Sequence, residues 1–349
     1  MLFRRRLAAA NPIVRTVTLI LAIVTLMAAG RASAVEERFI RIATGPIGGT
    51  YFPVGGLIAH AISSPLGSVA CDAGGSCGVP GLIAASVASQ GSMDNVKALS
   101  RGQVQLGLSQ ADVARDAYMG KGAFADGPAL SELRSIANLF AESLHIVVRK
   151  DSAIKSIGDL KGKNVALGEP NSGTLATAKT VLHGYRLTTK DMTVSADNLT
   201  RAAGRLAAGE IDALFMVGGY PVEAIARLAD TVAIRLLPIE GEAAKSILRG
   251  DPLLAVSVIP AGAYAGIDTQ TPTLGPRAQL LTSAAVNADL VYAITQALWN
   301  PRNRQILDGG HPEGRNIRAS EATDGLIVPL HPGAARYYAE AGTKQAGSP

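Results

Sequence analysis

A glycine-rich segment that joins an apolar run to a helical one places the strongest constraint on the fold. Residues 39–43 are typical of a strand, whereas residues 44–49 contain three glycines and Pro46 and cannot continue it. Thr50 is predicted to be a helix N-cap, with Pro53 in the first turn and apolar residues at helical spacing behind it. Free backbone N–H groups at such a helix start suit an anion such as a carboxylate. An ordinary turn between a strand and a helix is the alternative.

The same pattern occurs a second time, about 120 residues later. Residues 164–167 are typical of a strand, residues 168–172 form a small-residue turn, and Gly173-Thr174 opens a helix. The segments 102–110 and 209–217 also resemble each other, and each leads into a helix. Two matched pairs in the same order predict two similar α/β lobes.

The first 34 residues are predicted to be a cleaved export signal. Arginines precede an apolar stretch at 17–29, and Ala32-Ser33-Ala34 forms a small-residue cleavage site. The stretch is about 13 residues long, shorter than the roughly 20 of a membrane span, although a retained anchor is the alternative. The signal holds five Arg and no acid, so its removal lowers the 33 basic residues to 28, which equals the 28 acidic ones. The mature chain is therefore expected to be neutral, and the sequence pI of about 9.2 does not indicate a nucleic-acid partner. The export signal itself predicts a periplasmic location.

The only cysteines, Cys71 and Cys77, are predicted to form a disulfide, because an exported chain lies in an oxidising compartment. A metal site is the alternative, but no His or further Cys lies nearby to complete four ligands. The remaining chain is long enough for two domains. We expect a first lobe at 35–140 plus 258–349, with a strand near 253–259 returning to it, and a second lobe at 141–257.

Polar and small residues follow several predicted strands, at the edge where open α/β sheets bind ligands. Ser92 follows the strand at 82–87, Gln110 and Asp112 follow the strand at 104–108, and Gly218 ends the strand at 211–217. Helix capping is the alternative for Ser92, Gln110 and Asp112.

Several segments resemble motifs of the TAXI family, the solute receptors of TRAP transporters. The segments are 42–56, 109–114, 144–149, 172–174 and 329–334, in the order in which the family has them. The opening loop departs from the family at Pro46-Ile47. The resemblance implies a periplasmic binding protein of the two-lobe α/β clamshell class, similar to type II. It also implies capture of a small organic acid or amino acid, often glutamate-like, for delivery to a membrane permease.

These observations predict a binding protein and not an enzyme, without a metal or cofactor, acting as a monomer with permease subunits as partners. Asp112, if it points inward, would accept from an ammonium or hydroxyl of the ligand. The alternatives are a periplasmic ligand sensor and a secreted hydrolase, although none of the five His belongs to an HExxH motif. The residues expected to line the cleft are Thr44, Gly48, Gly49, Thr50, Tyr51, Ser92, Gln110 and Asp112 on the first wall and Asn171, Ser172, Gly173, Thr174 and Gly218 on the second.

Overall fold

The structure, a computed structural model, describes residues 36–342. Residues 38–342 belong to one compact unit. The predicted export signal and its cleavage site lie outside the described residues. Among the helices of the described part, none combines the length and apolar content that a membrane span requires.

Fourteen strands form the sheets of the described residues, and those in the middle of the large sheets, such as Leu106–Gln110 and Ala213–Gly218, are buried on both faces. In chain order they are β1 (Arg38–Ala43), β2 (Ser63–Ser64), β3 (Val79–Pro80), β4 (Leu82–Val87), β5 (Leu106–Gln110), β6 (Leu133–Ala141), β7 (Ser143–Arg149), β8 (Asn164–Ala166), β9 (Thr193–Ser195), β10 (Ala213–Gly218), β11 (Ile234–Leu236), β12 (Ala255–Ile259), β13 (Thr271–Gly275) and β14 (Arg277–Ser283).

The helices follow or connect these strands and pack apolar faces against the sheets. They are α1 (Tyr51–Ile62), α2 (Ser92–Ser100), α3 (Ala111–Met119), α4 (Gly173–Gly184), α5 (Leu199–Ala207), α6 (Glu223–Thr231), α7 (Gly241–Gly250), α8 (Ala288–Leu298), α9 (Arg304–Gly310) and α10 (Pro332–Glu340), with short 3₁₀ helices at Cys71–Ala73, Gly122–Phe124, Ile157–Leu160, Thr189–Asp191, Pro301–Asn303, Pro312–Asn316 and Ala319–Glu321.

Two five-stranded sheets organise the molecule, with strand orders β4-β1-β5-β14-β6 and β11-β7-β10-β8-β9. In the first sheet β1, β4 and β5 are parallel to one another, and β14 runs antiparallel to them. In the second sheet β8, β9 and β10 are parallel to one another, and β7 runs antiparallel to them. β8, β9, β10 and β11 thus take the places in the second sheet that β1, β4, β5 and β6 take in the first. This correspondence confirms the predicted two-lobe α/β fold. We call the elements on the first sheet the first lobe and those on the second sheet the second lobe.

Each sheet is buried on both of its faces. Ile146 and Val148 of β7 belong to one apolar cluster and Val147 to another, because successive side chains of a strand point to opposite faces. In the first sheet Ile42 and Ala43 divide between two clusters in the same way. Each lobe therefore has its own core.

The chain passes between the lobes at two adjacent places. It leaves the first sheet between β6 and β7, at Glu142, and rejoins it between β13 and β14, at Pro276. The N–H of Glu142 donates to the carbonyl of Pro276 at 2.9 Å. A Cβ at Gly275 would lie 2.1 Å from the carbonyl oxygen of Glu142, so the close approach of the two crossings requires glycine.

The strand expected to return to the first lobe at 253–259 does not do so. β12 pairs with β13 in a separate two-stranded sheet, and Ile259 and Leu274 pack into the clusters of the second lobe. The chain rejoins the first sheet only at β14. The division into domains at 140/141 and 257/258 remains a prediction.

The predicted bond between Cys71 and Cys77 is confirmed, since the two residues form a disulfide. The loop that it closes packs beside the end of α1 and against the 3₁₀ helix Pro301–Asn303. Ser76 donates to the carbonyl of Ala61, and the N–H of Cys77 donates to the side chain of Asn303. The disulfide therefore braces an insert at the end of α1 opposite to its N-terminus.

Candidate functional site

A cavity of about 50 Å³ lies between the lobes, at the carboxyl ends of β1, β5, β8 and β10. A water molecule needs roughly 10–15 Å³ of such space, so the cavity has room for a few small groups. Both lobes contribute to its wall. The lining residues are Gly45, Pro46, Gly49, Thr50, Tyr51, Gln90, Gly91, Ser92, Gln110 and Glu142 from the first wall and the crossing, and Ala166, Gly168, Glu169, Ser172, Gly173, Thr174, Asp197, Leu199, Ala202, Phe215, Met216 and Val217 from the second.

Eight of the thirteen residues predicted for the site line this cavity, and five lie beside it. The eight are Gly49, Thr50, Tyr51, Ser92, Gln110, Ser172, Gly173 and Thr174; the five are Thr44, Gly48, Asp112, Asn171 and Gly218. Five helices of the described residues, α1, α2, α3, α4 and α5, begin at the cavity. Their first N–H groups have no intrahelical acceptor, and they place partial positive charge at its wall.

The first glycine loop approaches the second lobe closely. The N–H of Gly49 donates to the carbonyl of Pro46 at 2.9 Å, which closes the turn. A Cβ at Gly49 would lie 3.2 Å from Cε of Met216, so this backbone forms the cavity wall directly. Gly48 lies outside the cavity, where its carbonyl accepts from the N–H of Ala224 at 3.0 Å.

Thr44 holds the strand end in place. Its hydroxyl donates to the carbonyl of Val87 at 2.7 Å, and its methyl group lies where a Cβ at Gly55 would clash, 2.4 Å away. Thr44 is fully buried by these contacts. It therefore supports the loop and does not face the cavity.

Thr50 does not cap α1 through its side chain, contrary to prediction, because its hydroxyl has another acceptor. The hydroxyl donates to the carbonyl of Gly219 in the second lobe at 2.6 Å. A Cβ at Gly218 would lie 2.9 Å from the same oxygen. Thr50, Gly218 and Gly219 thus form a contact between the lobes at the edge of the cavity.

In the second loop the cap is Ser172, whose hydroxyl accepts from the N–H of Leu175 at 3.1 Å. The hydroxyl of Thr174 accepts from the N–H of Val217 at 3.1 Å, which ties the helix start to β10. The hydroxyls of Thr50, Ser172 and Thr174 therefore all have protein partners. The part of the two loops that faces the cavity is therefore mainly backbone.

Gly173 lies in close contact with the first lobe. A Cβ there would lie 2.2 Å from Oε1 of Gln110 and 2.7 Å from Oγ of Ser92. The N–H of Gln110 donates to the hydroxyl of Ser92 at 3.1 Å, and Gln110 accepts from the hydroxyl of Thr177 at 3.3 Å. Ser92 is not the N-cap of α2, which begins after Gly91.

Asn171 joins the lobes outside the cavity. Its side chain accepts from Lys97 at 2.9 Å and donates to Gln90 at 3.0 Å, and its carbonyl accepts from the N–H of Asp94 at 3.0 Å. Lys97 is thereby held on the outer side of the interface. Asn171 closes the cleft and does not line it.

Asp112 is buried in the first lobe without lining the cavity, so the expected inward carboxylate is not at this position. Burial raises the pKa of Asp112 to about 7, with Asp251 adding to the effect and Arg115 opposing it. Its Oδ1 has no hydrogen-bond partner among residues 36–342.

Glu142, the residue at the first crossing between the lobes, was not among the predicted site residues. Its side chain lines the cavity, and only 1% of the residue is exposed. Oε2 accepts from the hydroxyl of Tyr51 at 2.8 Å, whereas Oε1 has no partner among the described residues. Burial raises the pKa of Glu142 well above its usual value, and the hydrogen bond from Tyr51 opposes the shift. The sequence contained one signal for this residue: a single acid between two long apolar runs, at the place where the chain was predicted to cross to the second lobe.

The charged residues that line the cavity within the described chain are acidic. They are Glu142, Glu169 and Asp197. Asp197 forms ion pairs with Arg201 and Arg205. Residues 36–342 contain no group of three or more His, Cys, Asp or Glu side chains placed to hold a metal ion.

The sequence model of the NMT1-like family matches residues 42–342. A solved structure from Bordetella bronchiseptica RB50 is 16% identical, with 88% of this chain and 82% of that chain covered and a TM-score of 0.49. The alkanesulfonate-binding protein SsuA of Xanthomonas axonopodis pv. citri, bound to MOPS, is 18% identical, with 88% and 93% covered and a TM-score of 0.45. An ancestral arginine-binding protein bound to arginine is 14% identical, with 78% and 97% covered and a TM-score of 0.46.

Proposed function

The chain belongs to the NMT1-like family, and we propose that it is an extracytoplasmic receptor that binds a small carboxylate or amino acid between its lobes. One observation carries the proposal: the two matched glycine loops form opposite walls of a single cavity. Gly49 comes from the first lobe and Gly173 from the second, and both present backbone to the enclosed space. Small ligands bind in such concave sites, where a few polar groups fix their orientation.

The helix starts suit a ligand carboxylate. α1, α2 and α3 reach the cavity from the first lobe and α4 reaches it from the second, so a carboxylate would be held by N–H groups of both. Closure removes water, which strengthens these hydrogen bonds. The ligand would thereby favour the arrangement in which the lobes meet.

Contacts outside the cavity support a closing motion of this kind. The hydroxyl of Thr50 reaches Gly219, and the N–H of Ala224 reaches Gly48. These hydrogen bonds link the lobes directly and would break when the lobes separate. The two adjacent crossings at Glu142 and Pro276 are the places where the chain would bend.

Binding is favoured over hydrolysis by the state of the hydroxyl groups. Ser92 and Ser172 both line the cavity, but their hydroxyls accept from the backbone N–H groups of Gln110 and Leu175. Both hydroxyls therefore position the loops, and among the described residues no histidine lines the cavity to act as a base beside them. The disulfide between Cys71 and Cys77 agrees with a periplasmic location. Delivery to a TRAP permease is proposed from the motifs quoted above.

A thermal-shift screen of carboxylates and amino acids tests the proposal. The protein is unfolded and refolded first, so that any ligand carried through purification is removed. A ligand at 100 times its Kd stabilises the folded state by about 2.7 kcal/mol, which raises the Tm visibly. We expect one chemical series to raise the Tm. The proposal is wrong if no compound does so and mass spectrometry of the protein before refolding finds no bound small molecule.

A further inference from the structure

Glu142 occupies a position where a carboxylate is costly. Its backbone is fixed at the crossing by the hydrogen bond to Pro276 and by the contact with Gly275. The side chain lines the cavity, and only 1% of the residue is exposed. A carboxylate that is buried without a cation is strongly destabilising unless another group compensates its charge.

The surroundings of Glu142 do not supply that compensation. Tyr51 on α1 donates one neutral hydrogen bond to Oε2, and Oε1 has no partner among residues 36–342. The charged groups that act on Glu142 are Asp112 on α3 and Glu313 in the 3₁₀ helix Pro312–Asn316, both acidic. Of the other acids in the cavity wall, Glu169 brings further negative charge, and Asp197 is already paired with Arg205. Without a cation the carboxyl takes up a proton, as its raised pKa indicates, and a cationic group brought by a ligand would hold it in its charged form.

Resting on the function proposed above, we infer that the ligand carries a protonated amine and that Glu142 binds it. An ammonium group would compensate the charge of the carboxylate and also donate to the free Oε1. A hydroxyl could donate to Oε1 but would leave the charge uncompensated. A second carboxylate next to Glu142 would be repelled. The ligand carboxylate belongs instead at the helix starts of the glycine loops. The inference narrows the ligand class to amino acids and related amino carboxylates, and it excludes their amine-free counterparts.

Matched pairs of compounds test the inference on the refolded full-length mature protein. The pairs are L-glutamate and 2-oxoglutarate, L-alanine and lactate, and 4-aminobutyrate and butyrate, extended to the best series of the thermal-shift screen. Titration calorimetry is expected to show binding for the amine member of at least one pair and at least 100-fold weaker binding for its counterpart. If an amine-free acid binds as tightly as its amine partner, the inference is wrong, although the receptor function stands. If no member of any pair or series binds, the proposed function fails as well.

The variant Glu142→Gln tests whether Glu142 binds the ligand through its charge or only through a hydrogen bond. Glutamine keeps the size and can still accept at Oε1, but it cannot compensate an ammonium charge. The variant should fold, since the amide has the size of the carboxyl and never carries a charge, and its Tm should match or exceed that of the parent. We expect it to bind the amine ligand at least 100-fold more weakly. Glu132→Gln makes the same change at an exposed site of the first lobe and should bind as the parent does. Parent-like affinity in Glu142→Gln would overturn the inference.

Discussion

The hydroxyl of Thr50 donates a 2.6 Å hydrogen bond to the carbonyl of Gly219, across the boundary between the two lobes. From the other side, Glu313 of the first lobe accepts from the N–H of Tyr220 at 3.1 Å. A Cβ at Gly219 would lie 2.2 Å from Cγ of Glu313. The first lobe therefore holds the segment Gly219-Tyr220 of the second lobe at two points.

Removing the hydroxyl of Thr50 should weaken ligand binding. In Thr50→Val the buried carbonyl of Gly219 loses its donor, which costs roughly 1–3 kcal/mol in the closed arrangement. Because a bound ligand requires that arrangement, the Kd should rise by about 5- to 150-fold. Thr50→Ser keeps the hydroxyl and serves as the control in titration calorimetry. Equal affinities for the valine and serine variants would show that this contact does not contribute to closure.

Asp112 should make the protein less stable as the pH rises from about 4 to 7. Burial raises its pKa to about 7 in the folded state, whereas an unfolded Asp has a pKa of about 3.9. The folded state therefore holds the proton more tightly, and it loses stability as the pH rises through this interval. The shift corresponds to a loss on the order of 4 kcal/mol.

The variant Asp112→Asn tests this contribution, since it removes the titrating group. Urea unfolding at pH 4.5 and pH 8 should show a smaller decrease in unfolding free energy than in the parent. Asp126→Asn alters an exposed acid and should leave the decrease unchanged. If Asp112→Asn and the parent lose the same stability between the two pH values, Asp112 does not titrate as described.

The insert closed by Cys71 and Cys77 should contribute to stability and not to binding. Replacing both cysteines by serine should lower the unfolding free energy by about 1–2 kcal/mol, because the closed loop is short. The ligand affinity should stay the same, since the insert packs at the end of α1 that lies opposite the cavity. Denaturant unfolding and calorimetry of the double variant measure the two quantities. A large change in affinity would mean that the insert acts on the cleft.

The repeat in the sequence was enough to predict the two lobes, because each glycine loop needs a strand before it and a helix after it. The matching strand orders of the two sheets agree with that reasoning. The pairing of β12 could not be predicted in the same way. An apolar run predicts a strand, but its partner depends on where the chain is carried afterwards, and here β13 follows close enough to pair with it.

Roles of single side chains were harder to predict than the position of the cleft. Thr50 has the residue type and place of an N-cap, but an acceptor in the other lobe takes its hydroxyl. Thr50 and Gly219 are 169 residues apart in the sequence, so no local sequence pattern indicates their contact. Glu142 resembles a solvated turn residue between two strands, and its burial results from the packing of two crossings that lie far apart in sequence.

The central claim, that the ligand is bound between lobes that meet at Gly173, is tested most directly by titrating Gly173→Val with the solute identified in the screen. The new side chain would occupy the space of Gln110 and Ser92 and keep the lobes from meeting. Gly204→Val is the matched control, because a Cβ at Gly204 in α5 meets no atom within 4 Å. We predict at least a tenfold loss of affinity in Gly173→Val and parent-like affinity in Gly204→Val, with both variants folded. Parent-like affinity in Gly173→Val would contradict the account and place the ligand elsewhere.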